Sequence, residues 1–271
     1  MGTEDFVQIS SGGQNVYGIL HLPDGDPTHA IVYCSPFAEE QKSTYRVFVE
    51  LARHLADKGV ASLRFDYRGT GDSDGYFQDY LLEDWIGDTV AAIECLKEKS
   101  GLDRICVLGV RFGGFIGIQA AQQSESVSDL ILWQPIISGK QFHRQEMRRF
   151  MIRQMMTSGK ATKGEEELAS DAEEENVIDM DGYLMRKELT EGIKETDLTS
   201  ADTSVPDRTL LLQISHNDKV SKEYSTFLSN HADVELQTLI CEPFWNRIGF
   251  VDTVSVFEIT REWLFQPSDL T

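Results

Sequence analysis

One turn of this 271-residue chain holds a charge where covalent chemistry would need a nucleophile. Residues 104–109 read as a strand and residues 112–123 as a helix, and Gly109-Val110-Arg111-Phe112-Gly113 joins them. A turn of the form glycine–x–X–x–glycine at such a junction presents X at its tip, where a Ser or Cys would be activated for attack. The two glycines fit places where the sharp turn leaves no room for a Cβ. Arg111 stays protonated, has donors only and offers no lone pair, so nucleophilic catalysis at this position is excluded. At the start of a helix, beside unpaired N–H groups, a guanidinium suits a carboxylate or phosphate. The competing reading is an internal ion pair with Glu39, Glu40, Asp66, Asp218 or Glu242, because a buried Arg must be paired.

Other landmarks surround this turn in a fixed order. Asp66-Tyr67-Arg68-Gly69-Thr70-Gly71-Asp72-Ser73 resembles the D-x-R-G-x-G-x-S loop that follows the fourth strand of α/β-hydrolases. Cys34-Ser35-Pro36-Phe37 stands where those proteins carry H-G-x-x, and His216-Asn217-Asp218 follows a later strand where their triad acid sits. The chain is therefore similar to the α/β-hydrolase superfamily. That resemblance implies oxyanion N–H groups from Phe112 and from the Phe37–Ala38 loop, an acid at Asp218, and a general base at the place held by Trp245. No His follows His231 in the sequence, so nucleophile and base are lost together. Phe37, Ala38, Phe112, Glu39 and Trp133 are the expected ligand-binding residues. Trp133, Phe37, Phe112, Phe244 and Trp245 are expected to converge at the carboxyl ends of the strands, where open α/β sheets bind ligands. Cys241 lies near the base position without a His to activate it, and Ser35 and Ser215 read as backbone-capping hydroxyls.

A closer resemblance rests on Pro36-Phe37-Ala38-Glu39-Glu40, Gly71-Asp72-Ser73, Glu83-Asp84-Trp85, the Arg-bearing turn and Trp133-Gln134-Pro135. Together they resemble the type-two hydrolase-like proteins encoded with bacterial exosortase systems, over most of residues 20–145; Gln41-Lys42 departs from the Met-Asn-Lys expected there. This resemblance implies a bacterial protein accompanying exopolysaccharide production and protein sorting in the cytoplasm. Three functions remain open: a non-hydrolytic binding protein or pseudoenzyme; a hydrolase or lyase in which Arg111 polarises an acyl or ester substrate and Asp218 moves a proton; and an adaptor acting through a charged insertion.

The elements that must position these residues are legible from periodicity. Residues 6–10 and 15–22 alternate around Gly12-Gly13 as a hairpin. Apolar runs at 30–35, 60–65, 104–109, 130–134, 209–215 and 234–240 read as strands. Helical spacing occupies 42–58, 81–99, 112–123, 219–230 and 249–265. Strands separated by helices imply a mostly parallel eight-stranded sheet with helices on both faces. The alternation pauses after the sixth strand, which divides the chain into a core of 1–138, a lid or cap insertion of 139–205 and a second core part of 206–271. The insertion begins with a basic amphipathic helix (141–156) bearing Lys140, Arg144, Arg148, Arg149 and Arg153, and continues as an acidic stretch, irregular or helical, over 158–206.

The net charge of −20 argues against nucleic acid as a partner. Residues 160–202 hold fourteen Asp and Glu against five Lys and Arg. The basic helix is expected to neutralise Glu165–Glu167 and Glu173–Glu175, with lipid head groups at a membrane surface as the alternative. The four cysteines form no ligand pattern, and Cys34 and Cys106 read as buried thiols of a reducing compartment. No metal or organic cofactor motif is present. The first residues lack the apolar core of a signal peptide and no run is long enough to span a membrane, so the expected location is the cytoplasm. A small anionic molecule is the expected ligand; the oligomeric state is not legible.

Overall fold

The computed structural model describes residues 2–158, 177–200, 202–247 and 249–267. The hairpin comprises β1 (Thr3–Ser11) and β2 (Gln14–Leu22), turning through Gly12 and Gly13 at φ of 55° and 80°. Strands and helices then alternate through β3 (His29–Cys34), α1 (Glu39–Ala56), β4 (Val60–Phe65), α2 (Leu82–Ser100), β5 (Ile105–Val110), α3 (Phe112–Ala121) and β6 (Val127–Trp133). Next come α4 (Gly139–Ser158), a small hairpin of β7 (Val177–Met180) and β8 (Tyr183–Arg186), and α5 (Lys187–Glu195). The alternation resumes with β9 (Arg208–Ser215), α6 (Lys222–Asn230), β10 (Val234–Ile240) and α7 (Val254–Leu264).

Eight strands form one sheet in the order β1-β2-β4-β3-β5-β6-β9-β10. The pairs β1–β2 and β2–β4 are antiparallel, and the five pairs from β4–β3 to β9–β10 are parallel. Side chains of β5 alternate between two cores: Ile105 and Val107 pack with α2, α3 and α6, whereas Cys106, Leu108 and Val110 pack with α1 and α7. Burial on both faces is why this strand is apolar at every position. The strand order reverses between β3 and β5, the place where loops leaving the carboxyl ends of an open α/β sheet diverge. Arg111 and the Ser35–Ala38 loop stand at that point.

A buried ion pair secures the loop after β4. Asp88 of α2 accepts from Arg68 Nε at 2.7 Å and from Arg68 N at 2.9 Å, and the guanidinium lies over Tyr80. Gly71 sits at φ +52, with the Asp66 carboxylate 1.9 Å from the place of a Cβ, so any larger residue there would displace Asp66.

Two segments depart from the periodicity. The last helix begins at Val254 rather than 249, because Asp252 Oδ1 accepts from Val254 N at 3.0 Å and starts the helix there. Within 158–206 the structure has the β7–β8 hairpin, turned through Asp181 and Gly182 at φ of 55° and 90°. An Asp-Gly pair between two short strands is a turn signal that the acidic composition of the segment obscured. Among the described residues no helix is long and apolar enough to cross a membrane.

His21 of β2 gives the fold a pH dependence. Its side chain is 1% exposed, and its Nε2 accepts from Arg64 Nε at 3.1 Å, which requires an unprotonated nitrogen. Burial, helped by Arg64, lowers its pKa from 6.5 to about 4. Between those values the unfolded chain binds a proton that the folded chain refuses, so the His21 contribution is intact above pH 6.5 and declines as pH falls toward 4. Chemical denaturation at stepped pH should show a loss of about 3 kcal/mol over that window. His21→Gln keeps an acceptor for Arg64 and should flatten that part of the profile.

Candidate functional site

The turn after β5 has the sharp geometry read from its glycines. Arg111 adopts φ 55° and ψ −119°, a region that costs a non-glycine residue of order 1–3 kcal/mol. A Cβ on Gly109 would lie 2.5 Å from Gly113 O, and one on Gly113 would lie 2.3 Å from Cys34 O. Glycine is therefore needed at both places to bring α3 against β5 and β3. Ala38, at the start of α1, has nearly the same backbone, φ 49° and ψ −120°. Arg111 N donates to Trp133 O at 3.0 Å, and Ile136 N donates to Arg111 O at 3.2 Å, so the turn is also held to β6 and the chain that follows it.

The Arg111 side chain is held in an ion pair. Its Nε donates to both oxygens of Glu40 at 3.3 Å, with Arg111 7% and Glu40 3% exposed. Of the five acidic candidates for this role, Glu40 takes it. Glu39, expected as a ligand-binding residue, points the other way and pairs with Lys42 at 2.6 Å. Helical geometry explains the choice: neighbouring residues of α1 diverge by about 100°, so only one can face the turn. A second guanidinium reaches Glu40 from α4, with Arg149 Nη1 3.4 Å from Glu40 Oε1 and 2.5 Å from Glu146 Oε1. Burial pushes the Glu40 carboxyl above its ordinary range, Arg111 and Arg149 pull it down, and Glu146 adds to the rise.

Trp245, at the base position, is 3% exposed and lies under the Arg111 guanidinium, 5.2 Å from Cζ to the ring centroid. Arg111 and Trp245, the residues expected at the nucleophile and base positions, are thus in contact, as a cation and an aromatic ring. Asn246 beside it accepts from Arg149 Nη2 at 3.1 Å and from Trp245 Nε1 at 3.2 Å in the amide orientation that satisfies both donors. Arg149, Glu146 and Asn246 complete a polar cluster that one-dimensional reading missed. Arg149 was legible only as one cation of a helix.

The remaining candidates divide. Phe37 meets Phe112, Trp85, Phe77 and Phe142 with centroids 5.7–6.1 Å apart, an aromatic cluster joining the Ser35–Ala38 loop to α2, α3 and α4. Trp133 is not among them. It is fully buried on the other side of the sheet, donates Nε1 to Thr260 Oγ1 at 3.1 Å and packs on Phe244, because the β6 side chain at that register faces α7. Asp218 stands exposed after β9 and makes no side-chain hydrogen bond or ion pair among the described residues, so it does not meet Arg111. Burial raises the Cys34 thiol to about 12 and pushes Cys241 up as well, which keeps both protonated at neutral pH. Ser215 caps its turn through Asn217.

On α4 the cations take partners from several elements. Arg149 binds Glu40 and Glu146, and Arg153 pairs with Asp181 of the β7–β8 turn. Glu165–Glu167 and Glu173–Glu175 lie outside the described residues. Lys140, Arg144 and Arg148 are exposed along one side of the helix.

Comparison with known proteins agrees with the geometry of the sheet and turn. A family model described as Serine aminopeptidase, S33 matches residues 25–242. The chain belongs to this family of α/β-hydrolases. Among solved structures, Est1E from Butyrivibrio proteoclasticus, described with bound ferulic acid, superposes with a TM-score of 0.65 at 18% identity over 95% of this chain and 97% of that one. An esterase from Pyrococcus furiosus gives 0.63 at 19% identity, over 97% and 90%. The α/β-hydrolase GrgF from Penicillium sp. sh18 gives 0.65 at 16%, over 97% and 98%. The human Protein ABHD12B is 34% identical over 104 residues, 38% of this chain, and the match spans 27% of the human protein's length.

Removing the Glu40 charge should expose how much the family member relies on the pair. Glu40→Gln leaves Arg111 a buried cation facing a neutral amide, and the expected loss is about 3–5 kcal/mol. Equilibrium denaturation compared with Glu39→Gln, whose change should be about 0.5 kcal/mol or less, checks the assignment.

Proposed function

We propose that this α/β-hydrolase-family member is a non-hydrolytic binding protein, a pseudoenzyme with a degenerate triad. The observation that carries the proposal is the contact between the two positions that would do the chemistry. The Arg111 guanidinium lies over the ring of Trp245, the residue expected at the base position, and Glu40 pairs with it. Neither side chain can attack a carbonyl or take a proton from an attacking group. In a serine hydrolase, loss of nucleophile or base alone removes about 10⁶ in kcat. The displaced-chemistry alternative needs Asp218 beside Arg111, and Asp218 stands apart from it. Fold likeness to esterases does not restore an absent mechanism.

In this reading residues 1–138 and 206–271 form the binding core and 139–205 a lid. Its first helix is joined to the core by Arg149 on Glu40 and by Phe142 against Phe37 and Phe112. The resemblance to hydrolase-like proteins encoded with exosortase systems supports a cytoplasmic role in a bacterium, beside exopolysaccharide production. The exposed Lys140, Arg144 and Arg148 supply a surface for an anionic partner or a membrane face.

A fluorophosphonate probe and a panel of short acyl esters and thioesters test the reading. Mass spectrometry should find no covalent adduct, and hydrolysis should stay at the protein-free rate. Arg111→Ser should remain silent as well, because Trp245 still occupies the base position. An adduct on the wild-type chain, or turnover typical of an esterase, would overturn the proposal.

A further inference from the structure

The Arg111 guanidinium has five N–H donors and, among the described residues, uses one. Only Nε hydrogen-bonds, to Glu40; Nη1 and Nη2 donate to no described residue, although the side chain is only 9% exposed. Neither nitrogen is among the side-chain atoms that are both sealed from solvent and unpartnered, so the terminal edge of the group remains reachable. The guanidinium carbon lies over the Trp245 ring, 5.2 Å from its centroid, and Glu40 occupies the Nε side. What remains is the planar fork of Nη1 and Nη2, at the start of α3, whose first N–H groups lack intrahelical partners.

We infer that this fork is a recognition site for a monocarboxylate, which lies in the plane of the guanidinium and accepts one hydrogen bond from each terminal nitrogen. The inference rests on the non-hydrolytic reading above and names the ligand class for the same site. A fork of two parallel N–H donors matches the two oxygens of a carboxylate. Charge selects among anions. Arg111 and Arg149 are balanced by Glu40 and Glu146, so the cluster is formally neutral before a ligand arrives. One added negative charge beside Glu40 is tolerated more readily than the two of a phosphate dianion, since like charges repel strongly where water is excluded.

Titration calorimetry on the full chain with octanoate, benzoate and inorganic phosphate tests the site. The expected result is saturable one-to-one binding of at least one carboxylate, tighter than phosphate. Arg111→Lys keeps the charge for Glu40 but removes the fork, and should weaken carboxylate binding by about tenfold or more with the fold retained by circular dichroism. Lys99→Gln, exposed in the last turn of α2, should leave binding unchanged. Absence of saturable carboxylate binding, undiminished binding in Arg111→Lys, or a preference for phosphate would each overturn the inference. The ester panel and covalent probe on the same sample separate the two readings. Turnover with carboxylate binding intact removes only the non-hydrolytic proposal, and a silent panel without carboxylate binding removes only this one.

Discussion

A cation buried at the tip of the turn after β5 must be neutralised, and that requirement organises the site. Glu40 meets it from the first turn of α1, Arg149 then joins from α4, and Trp245 from the chain after β10 stacks below. Four segments far apart in sequence are thereby held to one point. The attraction between the charges is large at this separation, but so is the cost of removing them from water, and the two nearly offset. The cluster therefore specifies where these segments meet more than it adds to overall stability, while losing one member leaves an uncompensated charge.

The turn keeps its sharp shape with a cation and not a hydroxyl at its tip. Arg111 keeps a strained backbone that would present a nucleophile, and Ala38 repeats it at the start of α1 with no nucleophile to present. The common cause is architectural. A parallel strand must pass into a helix that folds back over the sheet within one or two residues, and the close approach of α3 to β3, enforced at Gly113, leaves few backbone routes. Strain at this position is thus evidence of the fold and not of catalysis. Esterases and this chain can share the same sheet while differing in whether the tip carries a hydroxyl or a guanidinium.

Membership of a family described as a serine aminopeptidase sharpens the contrast. The match covers residues 25–242, which includes the turn and the loop after β4. Around the cationic tip the geometry is in order: Arg68 is clamped by Asp88, and Phe37 stands in the aromatic cluster beside the turn.

The sequence by itself determined the sheet, the position of the turn and the cationic residue at its tip. Those follow from local rules: apolar runs, helical spacing, glycines where a Cβ does not fit, and the identity of the residue at the tip. The β7–β8 hairpin and the late start of α7 were less legible, since each depends on a short turn or cap that composition obscures. Only the tertiary structure decided that Glu40 and not Glu39 neutralises Arg111, that Arg149 joins them, that Trp133 faces α7, and that Asp218 stands clear. Each of these depends on the direction in which a side chain leaves its helix, strand or loop and on what lies across the gap. A one-residue step rotates a helical side chain by about 100° and turns a strand side chain to the opposite face, so adjacent residues of the same chemical type meet entirely different neighbours.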